Sequence, residues 1–149
     1  MPQERTSPEG GLVPADGRIG VVLVEDNDVF RETLELLLDV TPDMRVVASV
    51  PDGRSALAVC PRVDPDVVVM DYRLPELDGV EVTSAIRRVC PDAAVVVLTG
   101  GADAREVAAL RDAGAVACLT KDENLDAIVA AIRKAAASRR RAGRLVVGE

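Results

Sequence analysis

Histidine and tryptophan are absent from these 149 residues, and Phe30 and Tyr72 are the only aromatic side chains. Without an imidazole the chain cannot build a Ser-His or Cys-His catalytic pair, nor complete a Cys/His zinc site. Two rings also fall short of the stacking platforms that hold unpaired bases. Cysteine is scarce as well: Cys60, Cys90 and Cys118 are odd in number, widely spaced and form no C-x-x-C pair, so they read as buried, reduced thiols. No apolar run approaches the roughly 20 residues of a membrane span, and residues 1–18 lack the apolar centre of a signal peptide. A cytoplasmic protein with no membrane partner is therefore expected. The formal net charge of -7 opposes nonspecific attachment to phosphate backbones, so direct nucleic-acid binding by this domain is not expected. No G-x-G-x-x-G follows the first apolar run, which argues against a dinucleotide site.

What the chain has is Val, Ala and Leu in short blocks, within a hydrophobic content of 48%. Its length suits one domain with a sizeable core. Residues 1–18 carry Pro2, Pro8 and Pro14 with Gly10, Gly11 and Gly17, a composition expected to form a flexible leader. From Ile19, apolar runs alternate with segments of helical period, the pattern of repeated βαβ units and a mostly parallel sheet. Strands are expected at about 19–25, 46–50, 66–70, 94–98 and 116–120. Between them, Phe30, Leu34, Leu37 and Leu38 mark the stripe of a first helix. Asp52 is expected to cap a second helix, ending near Cys60 before Pro61, and Asp78 a third with Val82, Ile86 and Val89 inward. A fourth covers about 103–113 and is closed by Gly114. A fifth, about 123–137, turns Leu125, Ile128, Val129 and Ile132 to the core. Residues 138–149, with Arg139, Arg140, Arg141 and Arg144, are expected to be a basic, solvated tail or the stub of a linker.

Polar groups follow four of the strands: Glu25 and Asp26, Asp71, Thr99, and Lys121. Taken singly each has a bland explanation. Asp26 and Asn27 suit a helix start, Asp71 a turn, Thr99 a satisfied loop hydroxyl and Lys121 a surface charge. Together they lie at the carboxyl ends of parallel strands, where an open α/β sheet gathers its ligand.

The segments Val24-Glu25-Asp26-Asn27, Met70-Asp71-Tyr72-Arg73-Leu74-Pro75-Glu76-Leu77-Asp78-Gly79, Leu98-Thr99-Gly100 and Leu119-Thr120-Lys121 resemble a response-regulator receiver domain, over about residues 19–137. The resemblance implies a flavodoxin-like, doubly wound (βα)5 fold with five parallel strands in the order 2-1-3-4-5. It implies that Asp71 accepts a phosphoryl group from a sensor histidine kinase or a small acyl phosphate. Three carboxylates at such a site repel one another unless a cation intervenes. A Mg²⁺ ion resolves this, with Asp26 and Asp71 as direct ligands, Glu25 direct or through water, and the main-chain carbonyl of Arg73 completing the protein's share. Lys121 and Thr99 are then the catalytic groups beside Asp71. Lys121 is a point charge for phosphoryl oxygens, and Thr99 is a hydroxyl that draws its loop towards them. Gly100 leaves access to the acceptor. Phosphorylation adds about 1.5 to 2 negative charges and biases the segment from Thr99 to the last helix, the expected output face.

Three departures from the family pattern stand out. Cys118 occupies the fifth-strand place where an aromatic residue usually couples site to surface, so switching is expected to be weakened or differently transmitted. Asp122 replaces a frequent Pro after the lysine, so no cis bond is expected there and Asp122 is available to cap the last helix. Arg73, at the rim two positions past Asp71, is expected to alter phosphate lifetime. Only about a dozen residues follow the expected last helix, too few for an output domain. The expectation is a single-domain receiver acting through protein contacts, or the receiver fragment of a DNA-binding regulator. Expected partners are the kinase, a downstream protein or output domain and, as an open option, a second copy of the chain. A phosphorylation-independent interaction module is the competing reading. A haloacid-dehalogenase-type phosphatase is disfavoured, because Arg73 stands where that superfamily places its general acid. The chain is thus not expected to turn over external substrates.

Overall fold

The computed structural model describes residues 17–147, with side chains through Ser138. The elements alternate without exception: β1 (Ile19–Val24), α1 (Asp28–Asp39), β2 (Met44–Val50), α2 (Gly53–Val63), β3 (Val67–Asp71), α3 (Gly79–Val89), β4 (Ala94–Thr99), α4 (Ala104–Ala113), β5 (Ala115–Thr120) and α5 (Leu125–Val147). The strands pair in parallel in the order β2-β1-β3-β4-β5, as the resemblance implied. The order reverses beside β1, and that switch point opens a crevice at the carboxyl ends of β1 and β3.

Period-two alternation along each strand divides the apolar side chains between two layers. Val21, Leu23, Val69, Val96 and Leu98 pack beneath Leu34 and Leu38 of α1 and Ile128 and Ile132 of α5. Val22, Val24, Val68, Met70, Val95 and Val97 face Ala56 of α2, Val82 and Ile86 of α3 and Leu110 of α4. Each fully buried Val, Leu or Ile contributes roughly 1.5–3 kcal/mol. The central strands β1, β3 and β4 are therefore uniformly apolar until the polar residue that ends each run. The edge strands β2 and β5 are only partly covered.

Asp52 and Asp78 cap the helices expected of them, and Asp103, expected only as the start of α4, proves to be a cap as well. Asp52 Oδ1 accepts from the Ser55 N–H, and Asp78 and Asp103 form reciprocal capping boxes with Glu81 and Glu106. Gly114 closes α4 at φ +116°, where an L side chain would be strained and a Cβ would stand 2.7 Å from Arg87 Cγ.

The structure departs from expectation in several places. α2 continues through Pro61 to Val63, because the ring forfeits one backbone bond while Val63 becomes buried and Asp64 closes the helix in the left-handed region at φ 50°. Val89 is 44% exposed, not inward, because the buried stripe of α3 runs through Val82, Thr83 and Ile86 and then to Cys90. β2 begins at Met44, whose side chain is fully buried. The cap of α5 is Asn124 and not Asp122: Asn124 Oδ1 accepts from the Ala127 N–H, three residues on, a reach that Asp122 lacks because the helix starts only at Leu125. α5 also passes the expected boundary at Ala137 and continues to Val147, through Ala and Arg residues that favour helix and with no proline to stop it.

Cys60 and Cys90 are buried as expected, and burial together with the neighbouring Cys90 pushes the Cys60 thiol up to about 12. Cys118, on the edge strand, is only half-buried. Residues 1–16 of the expected leader, residues 148–149 and the side chains of Arg139, Arg140, Arg141 and Arg144 lie outside the described residues.

Candidate functional site

The polar residues that end the apolar runs converge because parallel strands end on one side of the sheet. Glu25 and Asp26 leave β1, Asp71 closes β3, Thr99 closes β4 and Lys121 follows β5. The connection after β1 is short: Asn27 already caps α1, its Oδ1 accepting from the Phe30 N–H at 2.9 Å. The Arg31 guanidinium clamps the same connection from the helix, Nη1 donating to the Glu25 carbonyl at 2.6 Å.

Glu25 and Asp71 are 3% and 5% exposed, whereas Asp26 is open to solvent. The Lys121 ammonium bridges the two buried acids, Nζ lying 2.8 Å from Glu25 Oε1 and 3.2 Å from Asp71 Oδ2. The remaining oxygens meet main-chain donors: the Asn27 N–H donates to Glu25 Oε2 at 3.0 Å, and the Arg73 N–H to Asp71 Oδ1 at 3.2 Å. Burial raises the Glu25 carboxyl above its ordinary range, and the Asp71 charge adds to this against the opposing pull of Lys121 and the Asn27 N–H. Burial draws the Lys121 ammonium down, but its close pairing with Glu25 and the charge of Asp71 outweigh this, so its proton is held more tightly than usual.

One carboxylate oxygen from each of Glu25, Asp26 and Asp71 lies within 4.8 Å of the others. Oxygens sharing an octahedral Mg²⁺ stand about 3 to 4 Å apart, given Mg–O distances of about 2.1 Å. The cluster is thus a small adjustment from a shell for that ion. Glu25 Oε1 is buried and faces Lys121 as an ion pair without a well-directed hydrogen bond, so it has coordinating capacity to spare. An all-oxygen, acidic donor set of this kind fits a hard divalent cation.

Thr99 is buried, and its Oγ1 accepts from the Gly101 N–H at 3.1 Å. Its carbonyl accepts from the Lys121 N–H at 2.8 Å, which ties the ends of β4 and β5 together. Gly100 and Gly101 beyond it are exposed. Glu25, Asp26, Asp71 and Lys121 are therefore brought together as expected, with Arg73 held beside Asp71 through its main chain and Thr99 hydrogen-bonded within its own loop.

Three participants carry no signal of this role in the sequence. Phe30, a core position by its spacing, places its ring centroid 4.9 Å from Lys121 Nζ. Arg31 braces the Glu25 carbonyl. Tyr72 donates its hydroxyl to Glu106 Oε2 at 3.0 Å, while Glu106 Oε1 accepts from the Asp103 N–H at 2.9 Å, so one carboxylate joins the residue after Asp71 to the cap of α4. No spacing rule points to these contacts, since they are made between separate elements of the chain.

The family model described as response regulator receiver domain matches residues 21–133. Transcriptional regulatory protein DegU of Brevibacillus brevis is 32% identical over 118 residues, 79% of this chain and 50% of that protein. A protein-glutamate methylesterase/protein-glutamine glutaminase of Nitrosospira multiformis is 39% identical over 106 residues, 69% of this chain and 30% of that protein. Among solved structures, a two-component response regulator of the LuxR family from an Aurantimonas species superposes with a TM-score of 0.77 at 30% identity, covering 82% of this chain and 87% of that one. The chain spans about half the length of the curated relatives it matches.

Proposed function

The chain belongs to the response regulator receiver family, the phosphorylation-dependent signalling domain of two-component systems, and from that premise we propose that Asp71 is its phosphoacceptor. The observation that carries this reading is the Lys121 ammonium held between two buried carboxylates at 2.8 and 3.2 Å. An Asp71 oxygen attacks the donor phosphorus; the new P–O bond forms as the donor's P–N bond breaks, and the histidine of a sensor kinase keeps the electron pair. Charge in such a transfer spreads over the phosphoryl oxygens, so positioned cationic groups supply most of the catalysis. Lys121 follows that charge from Asp71 to a phosphoryl oxygen. Thr99 releases the Gly101 N–H and turns its own O–H to another oxygen, which draws the glycine loop inward.

Glu25, Asp26 and Asp71, with the Arg73 carbonyl, would hold Mg²⁺. When bound, that ion neutralises charge on the phosphoryl oxygens. The loop movement then alters the face built from α4, β5 and α5, the surface read by a downstream protein or output domain. The chain's relatives include both a transcriptional regulator and a methylesterase, so the receiver itself does not dictate the kind of output. On this reading the chain works in the cytoplasm as a switch and does not turn over external substrates.

Incubation with acetyl phosphate and Mg²⁺ should give an acid-stable, base-labile adduct on the wild type and none on Asp71→Asn. Absence of an adduct with both acetyl phosphate and a panel of histidine kinases would overturn the assignment. It would favour the phosphorylation-independent module that Cys118, in place of an aromatic residue, suggests.

A further inference from the structure

Lys121 reaches the acidic cluster on a flexible four-carbon stem from the loop beyond an edge strand, and its side chain remains 28% exposed. Two carboxylates attract its ammonium but do not enclose it. The ring of Phe30 supplies a further wall, with Nζ 4.9 Å from the centroid, within the range of a cation–π contact. Resting on the phosphoacceptor reading above, we propose that Phe30 is a positioning residue for phosphoryl transfer, its ring face holding the Lys121 ammonium over Glu25 and Asp71 and screening it from water.

Phe30 is itself well anchored. Its N–H donates to the Asn27 cap at 2.9 Å, and it stands in the first turn of α1 between the acids and the Arg31 clamp. Its neighbours on the same helical stripe, Leu34 and Leu38, are at most 1% exposed and fill the core. Phe30, at the end nearest the acids, is only partly buried and presents its ring to the ammonium. Apolar filling alone would not require an aromatic residue there.

Phe30 is the only phenylalanine in the chain, so global incorporation of 3,4,5-trifluorophenylalanine alters this position alone. The fluorinated ring keeps its shape but loses the negative face that attracts a cation. Initial phosphorylation by acetyl phosphate should fall about two- to tenfold, and equally in Phe30→Leu, whereas Phe30→Tyr should retain the wild-type rate. In the unphosphorylated protein, the Lys121 ammonium should exchange with water faster after fluorination, measured by ¹⁵N NMR. An unchanged exchange rate, or an unchanged phosphorylation rate, in the fluorinated protein would overturn the inference while leaving Asp71 as acceptor. Failure of the wild type to accept phosphate would instead strike the phosphoacceptor reading, and the exchange measurement would still decide the Phe30 contact.

Discussion

Replacing Lys121 with Met removes the ammonium while keeping an apolar stem of similar length, and the metal-free protein should lose about 3 kcal/mol. At 2.8 and 3.2 Å, and with an effective dielectric of about 20, the ammonium attracts Glu25 and Asp71 by roughly 6 and 5 kcal/mol in gross terms. Much of that is offset by the cost of drawing the charges from water. Losing one partner of a buried pair nets about 3–5 kcal/mol, and the partial exposure of Lys121 favours the lower end. Urea denaturation in EDTA should show a midpoint about 1.5 M below wild type, for a slope near 2 kcal/mol/M. The loss should shrink on acidification. Glu25 carries a raised folded-state pKa, so its protonation favours the folded state: that stability is fully present below its unfolded value of about 4.3 and is lost as pH rises through the higher folded value. Without Lys121, one influence that lowers the Glu25 pKa is gone, and the recovery should extend to higher pH than in the wild type. A midpoint within about 0.3 M of wild type, expected for a loss of only about 0.5 kcal/mol, would refute the view that Lys121 holds these carboxylates together.

Two further outcomes are expected. Tyr72 is the only tyrosine, and burial, then the hydrogen bond and charge of Glu106, raise its pKa; Glu106→Gln should lower the midpoint of its absorbance titration, and an unchanged midpoint would deny the Tyr72–Glu106 contact. Gly79→Ala should cost about 1–3 kcal/mol in urea unfolding, because the new Cβ would stand 2.8 Å from Tyr72 Cδ1 and 3.0 Å from the Tyr72 carbonyl; a neutral result would show that the loop yields freely.

The alternation of strands and helices was legible because Val-rich blocks and capping residues act locally. Asp52 and Asp78 cap their helices through bonds three residues away, a distance that spacing encodes. The acids and Lys121 could be gathered at one end because each follows an apolar strand of a parallel sheet. What escaped were features set by packing between elements. Pro61 remains helical because Val63 finds a buried place, and Val89 turns outward because Cys90 takes the inward one. Phe30 and Tyr72 find their partners in Lys121 and Glu106, far along the chain, which no local periodicity can report.

The two apolar layers share the sheet but are separate clusters of side chains. One flank of the molecule can consequently be remodelled to suit a new neighbour while the opposite flank keeps its shape. Each strand borders both along its length, so a small chemical event at the strand tips can be felt on either side.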